Sequence, residues 1–144
     1  MKKRNGFTLV ELLAVIVILA IILVIAVPQI LKTIDAARLG AFRSTAKLII
    51  SQAERQYMVD QALDAQSSAG TGTGSAKTYT GVAASTSSNT CGNLTELSAN
   101  DYSACTVTVT KDGVASLDLT GSGKFAGYSC ASAGKSTVDA NCNK

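Results

Sequence analysis

Three patterns follow one another along the chain: an unbroken apolar run, an amphipathic segment of helical period, and short stretches that alternate at every second residue. Residues 7–27 are 21 positions with one charge, Glu11. A helix apolar on every side belongs in lipid or inside a bundle. At 1.5 Å per residue it reaches about 30 Å, enough to cross a hydrocarbon core. Pro28 removes one backbone hydrogen bond and disfavours helix at Val27. Either a bend or the end of one helix and the start of another is expected there.

From residue 29 to residue 65 the helical pattern continues. On a wheel Ile30, Ile34, Ala37, Ala41, Leu48, Val59 and Leu63 share one arc. Leu39, Ala46, Ile50, Ala53 and Tyr57 form a second, with Phe42 and Ile49 between the two. Thr33, Arg43, Ser44, Lys47, Ser51 and Glu54 cluster opposite, with Arg55 at the margin. The apolar sector spans at least half the circumference, wider than one domain face requires. One half is therefore expected on the protein's own sheet, near residues 48–63, and the other against neighbouring helices. Gly40, in mid-helix, costs about 1 kcal/mol relative to alanine.

Residues 66–90 are rich in Gly, Ser and Thr and read as a surface connection with at most one short strand, around 78–82. Gly70, Gly72 and Gly74 have the composition of a phosphate loop, but no Gly-Lys-Ser/Thr triplet directly follows and no strand precedes them. The clearest strand pattern starts at Cys105, where Cys105, Val107 and Val109 alternate with threonines. A second runs over 114–120 with Ala115, Leu117 and Leu119 on one face. A two-residue turn would mix the faces. A three-residue loop, Lys111-Asp112-Gly113, sets Val109 against Ala115, Val107 against Leu117 and Cys105 against Leu119, with Gly113 at the left-handed bulge position. A third strand is expected at 124–130, with Ala126, Tyr128 and Cys130 on one face. Residues 131–144 have little apolar content and would fray without Cys142.

The charge changes the picture less than its sign suggests. The net charge is +3, and Lys2, Lys3 and Arg4 account for it; residues 7–144 carry ten basic and ten acidic residues. There is no basic patch interleaved with aromatics, so specific nucleic-acid binding is not indicated. With no histidine, Ser-His and Cys-His nucleophile pairs are excluded, and Asp101, Asp112 and Asp118 sit in turn-like or polar strand positions. No catalytic residue and no cofactor is predicted. Asn93-Leu94-Thr95 matches a glycan-acceptor pattern too short to be specific.

Cys91, Cys105, Cys130 and Cys142 all lie beyond the helix, in a part poor in large apolar residues. An even number of cysteines in a small, thinly cored, exported domain reads as two disulfides. Pairing along the chain gives Cys91–Cys105 and Cys130–Cys142, one of three possible connectivities. Four free thiols are the alternative. A metal site is disfavoured, because the gaps of 13, 24 and 11 residues contain no C-x-x-C pair.

Gly6-Phe7-Thr8-Leu9-Val10-Glu11, the basic residues before it and the apolar run to Pro28 resemble the processing signal of type IV prepilins and the related pseudopilins. The resemblance covers roughly residues 1–60 and is specific in the first 28. It implies an α+β, pilin-like fold: a long N-terminal helix against a small antiparallel sheet in a disulfide-stapled C-terminal domain. It divides the chain into a leader (1–6), a membrane and assembly half-helix (7–28), an amphipathic half-helix (29–65) and a loop-rich β domain (66–144). It further implies that a prepilin peptidase cuts between Gly6 and Phe7, that the Phe7 amine is methylated, and that Glu11 and Phe7 serve assembly. The implied partners are the inner-membrane assembly platform and identical subunits in a helical filament.

Basic residues ahead of the apolar run keep that end in the cytoplasm, giving a single-pass inner-membrane state before assembly and an extracellular one after it. The reading favoured is a major pilin. A pseudopilin of a secretion or DNA-uptake filament is the alternative, and a monomeric anchored ectodomain a third. Glu11 weighs against the third, because a plain anchor gains nothing from a carboxylate there.

Cutting before the apolar run removes every leader charge and keeps the anchor. N-terminal sequencing of the membrane protein should therefore begin at Phe7, and Gly6→Val should leave the precursor full-length. A sequence starting downstream of Val27 would indicate ordinary signal-peptide cleavage instead.

Overall fold

The computed structural model describes residues 7–66, 75–83 and 90–144. Gly6, the basic leader residues and the Gly70, Gly72 and Gly74 run lie outside them. The chain divides into two compact units, Met1–Ala37 and Arg38–Lys144.

Helix α1, Leu9–Gln66, contains Pro28 without interruption. Of the two expectations at Val27, a helix end is thus excluded. Proline removes only its own donor, and the helix-compatible residues on either side carry the backbone through. In the first unit every large apolar side chain of residues 7–34 is exposed.

In the second unit α1 meets an antiparallel sheet of five strands in sequence order: β1 (Lys77–Thr80), β2 (Tyr102–Val109), β3 (Ala115–Gly121), β4 (Ser129–Ala133) and β5 (Cys142–Asn143). Phe42, Ala46, Ile49, Ile50, Ala53 and Tyr57 are buried in one core with Val107, Val109, Leu117 and Leu119. Leu48, Met58, Val59 and Leu63 remain exposed. The wide apolar sector therefore divides, with the Phe42–Tyr57 arc inward and the Leu48–Leu63 arc outward. The sheet contact lies somewhat nearer the N-terminus than the expected 48–63, because Phe42 anchors it. Its ring sits 5.6–5.9 Å from those of Tyr102, Phe125 and Tyr128, within stacking range.

The hairpin keeps the apolar register expected of a three-residue loop: Val109 faces Ala115, Val107 faces Leu117, and Cys105 faces Leu119. Gly113 takes φ +80°, and Thr110 N–H donates to the Val114 carbonyl at 3.0 Å. β2 starts earlier than Cys105. A bulge between Tyr102 and Ala104 lets Tyr102 and Cys105 both point inward, although they are three residues apart.

The third strand expected at 124–130 is corrected. Gly123–Phe125 is a 3₁₀ turn, Ala126 is exposed, and the strand runs over Ser129–Ala133. Phe125 is buried by this turn against the Phe42 ring, not by a pleat. Gly123 takes φ +49°, and an added Cβ would collide with the Asn100 carbonyl.

Residues 131–144, expected to depend on Cys142, are held by that cysteine and by more besides. A 3₁₀ turn (Lys135–Thr137), helix α3 (Val138–Asn141) and β5 occupy the segment, and Val138 is fully buried. Arg43 donates to the Cys142 carbonyl at 3.0 Å, and Lys47 pairs with Asp139 at 2.6 Å. Two side chains of the helix's polar face thus hold the tail. The buried Ser132 hydroxyl lies 2.6 Å from the Gly134 carbonyl and 2.7 Å from the Thr137 hydroxyl, closing the turn between β4 and α3. Disulfides join Cys91 to Cys105 and Cys130 to Cys142. The first ties helix α2 (Cys91–Leu94) to β2, and the second crosses the β4–β5 pair. In the chain-entropy model each loop contributes about 3 kcal/mol.

Near the C-terminal end of α1, Asp60 pairs with Lys77 at the start of β1. Burial pushes the Asp60 carboxyl up, but hydrogen bonds from Lys77 and Gln56 hold it below the usual carboxylate range. The Tyr79 phenol is pushed up to about 12 by burial and by the Asp60 charge, so it stays neutral at physiological pH.

The division of α1 into two faces is testable by truncation. Ile50→Ala should cost about 2–5 kcal/mol of unfolding free energy, while Leu48→Ala should stay within about 0.5 kcal/mol. Denaturant unfolding in detergent, followed by circular dichroism, reads both. Equal losses would contradict the assignment of faces.

Candidate assembly site

The first turn of α1 holds the single charge of the apolar run. Thr8 is the residue before Leu9, and its carbonyl already accepts from Leu12 N–H at 3.3 Å. Its backbone N–H donates to Glu11 Oε2 at 2.9 Å, and its hydroxyl donates to the same oxygen at 2.8 Å. Glu11 N–H in turn lies 3.3 Å from Thr8 Oγ1. These reciprocal contacts form a capping box, in which the side chain of each residue reaches the backbone N–H of the other. They satisfy two donors that a helix start leaves without intrahelical partners. The positive end of the helix dipole also favours a carboxylate here.

Sequence reasoning singled out Glu11 for its charge and passed over Thr8. The signal was present: Thr-x-x-Glu opening an apolar run is the pattern of a capping box. Phe7 is the residue immediately before the box and, at 83% exposed, leaves its ring largely uncovered. Gly6, on the other side of the expected cut, is outside the described residues.

Among the described residues no group of three or more His, Cys, Asp or Glu is placed to hold a metal ion. An open groove of about 530 Å³ runs between Thr45, Leu48 and Gln52 of α1 and the loop carrying Leu97 and Ser98. Glu96, Asp101 and Lys124 also line it, and the last two pair with each other at 2.7 Å. Asn93 of the glycan-acceptor pattern is exposed within α2, whose first turn is capped by the Thr90 side chain.

Among protein-family models, that of the prokaryotic N-terminal methylation motif matches residues 1–27. No curated protein and no solved structure matches the chain. The matched segment ends just before Pro28 and does not reach the sheet. It is consistent with a type IV pilin or pseudopilin, and the helix, the five-stranded sheet and the two disulfides match an α+β pilin-like fold. The motif indicates a structural protein rather than an enzyme. It implies processing by a prepilin peptidase, membrane anchoring before assembly, and assembly into pilus-type filaments. By length and composition α1 can cross a membrane.

Proposed function

We propose that this chain is the major subunit of a type IV pilus, polymerising through its N-terminal helix into an extracellular filament that serves adhesion, motility or surface attachment. In this reading a peptidase removes residues 1–6 by cutting between Gly6 and Phe7, and the Phe7 amine is then methylated. Residues 7–28 form the assembly half of the helix, with any bend at Pro28; residues 29–65 form the amphipathic half, and 66–144 the exposed domain.

The observation that carries the reading is the exposure of every large apolar side chain in residues 7–34. Lipid covers such a surface before assembly, and only other apolar helices can cover it in a filament outside the cell. Leu48, Val59 and Leu63 add further exposed apolar surface in the distal unit. A pseudopilin would use the same helix, and electron microscopy separates the two: a pilus extends beyond the envelope, whereas a pseudopilin filament does not. The stapled distal domain favours exposure outside the cell.

Register comes from Glu11. Cleavage creates an α-amine on Phe7 with an ordinary pKa of about 8, and methylation keeps it basic. Among apolar helices neither charge is stable alone, and their attraction strengthens as water leaves. Glu11 of an incoming subunit pairs with Phe7 of one already placed, while helix packing supplies most of the cohesion.

Glu11→Ala and Glu11→Leu should leave expression, membrane insertion and cleavage largely intact but impair filament assembly. Glu11→Asp should be intermediate, since it keeps the charge and shortens the reach. Quantifying sheared filaments against membrane-bound mature protein measures this. Normal filaments from Glu11→Leu as the sole copy would refute the registry role.

A further inference from the structure

We infer that Thr8 is a positioning residue for assembly, holding Glu11 by one oxygen so that the other is open to the amine of a neighbouring subunit. This rests on the inter-subunit pairing proposed above. Both hydrogen bonds that Glu11 accepts go to Oε2, from the backbone N–H and the hydroxyl of Thr8. Among the described residues Oε1 accepts none, and the side chain is exposed. A carboxylate has about four lone-pair sites, so the box uses half of them and leaves one oxygen free.

Two consequences follow from where the box sits. It involves only Thr8 and Glu11, both beyond the Gly6–Phe7 bond, so removal of the leader breaks none of its contacts. It also holds the carboxylate in one place while the helix is still in lipid, where a freely rotating charged side chain would snorkel towards water. An incoming amine then meets an oriented oxygen and loses less freedom on pairing.

The two roles of Glu11 come apart by substitution. Glu11→Gln keeps an amide oxygen that can accept from Thr8, since capping boxes use Glu or Gln, but it has no charge for an amine. Thr8→Val keeps the charge and the β-branched shape but removes the hydroxyl from the box. Thr8→Ser restores the hydroxyl.

Each variant is co-expressed with the wild-type chain. Mass spectrometry of the mature N-terminal peptide gives the variant-to-wild-type ratio in filaments, normalised to the same ratio in the membrane. Subunit instability changes the membrane pool, and the normalised ratio is unaffected by it. Thr8→Val should be depleted from filaments about five-fold, the equilibrium factor that loss of one helix cap carries. Thr8→Ser should partition as wild type, and Glu11→Gln should be excluded. Thr8→Ala serves as the second removal variant should Thr8→Val fail to accumulate in the membrane.

If the hydroxyl-free variants enter filaments as readily as wild type while Glu11→Gln is excluded, the positioning role is overturned and the ion pair stands. If Glu11→Gln enters freely, the inter-subunit pairing itself is wrong, and the inference falls with it.

Discussion

A carboxylate in the first turn of an otherwise uncharged 21-residue run is the constraint around which this chain is arranged. Left unsatisfied, Glu11 would cost several kcal/mol in lipid. The Thr8 box resolves that cost locally, with three hydrogen bonds inside four residues. The same box starts α1 and supplies its missing first-turn partners, so the charge that looks like a liability is also a helix cap. What local capping does not neutralise is the charge itself. That residual need is what the proposed partner amine would meet.

The distal unit solves a different problem with few large side chains. Phe42 and Phe125 are its only phenylalanines, and both lie in one cluster with Tyr102 and Tyr128. The rest of the core is largely aliphatic, with Ile49, Ile50, Val107, Leu117 and Leu119 buried, and two disulfides and polar ties to the helix complete it. Arg43 and Lys47 do for the tail what apolar burial does elsewhere, with Val138 as the one buried anchor of α3. Because the core draws on only one arc of α1, the Leu48–Leu63 arc stays available. An apolar arc left outside the core is the surface that the proposed assembly would cover.

Much of this was legible in the residues, and the failures have physical causes. The β2–β3 register could be read because alternation and Gly113 agree on one loop length. The width of the apolar sector foretold two helix faces but not which one turns inward, since Leu48 and Ile50 are equally apolar. The segment 124–130 misled because Ala126, Tyr128 and Cys130 alternate like a strand, while Gly123 with positive φ and the Phe125 ring build a turn instead. The tail was unreadable because its order comes from partners about a hundred positions away, as in the Arg43–Cys142 contact. At the candidate site the charge of Glu11 stood out against its apolar neighbours. Its Thr8 partner was hidden by being an ordinary polar residue beside an extraordinary one.

The pairing of Glu11 with a neighbour is best tested in the assembled state, by a cryo-electron microscopy reconstruction of filaments at side-chain resolution. The predicted result is a Phe7 amine of one subunit within about 4 Å of the Glu11 carboxylate of another, repeated along the filament. Glu11 carboxylates that contact only their own chain would contradict it.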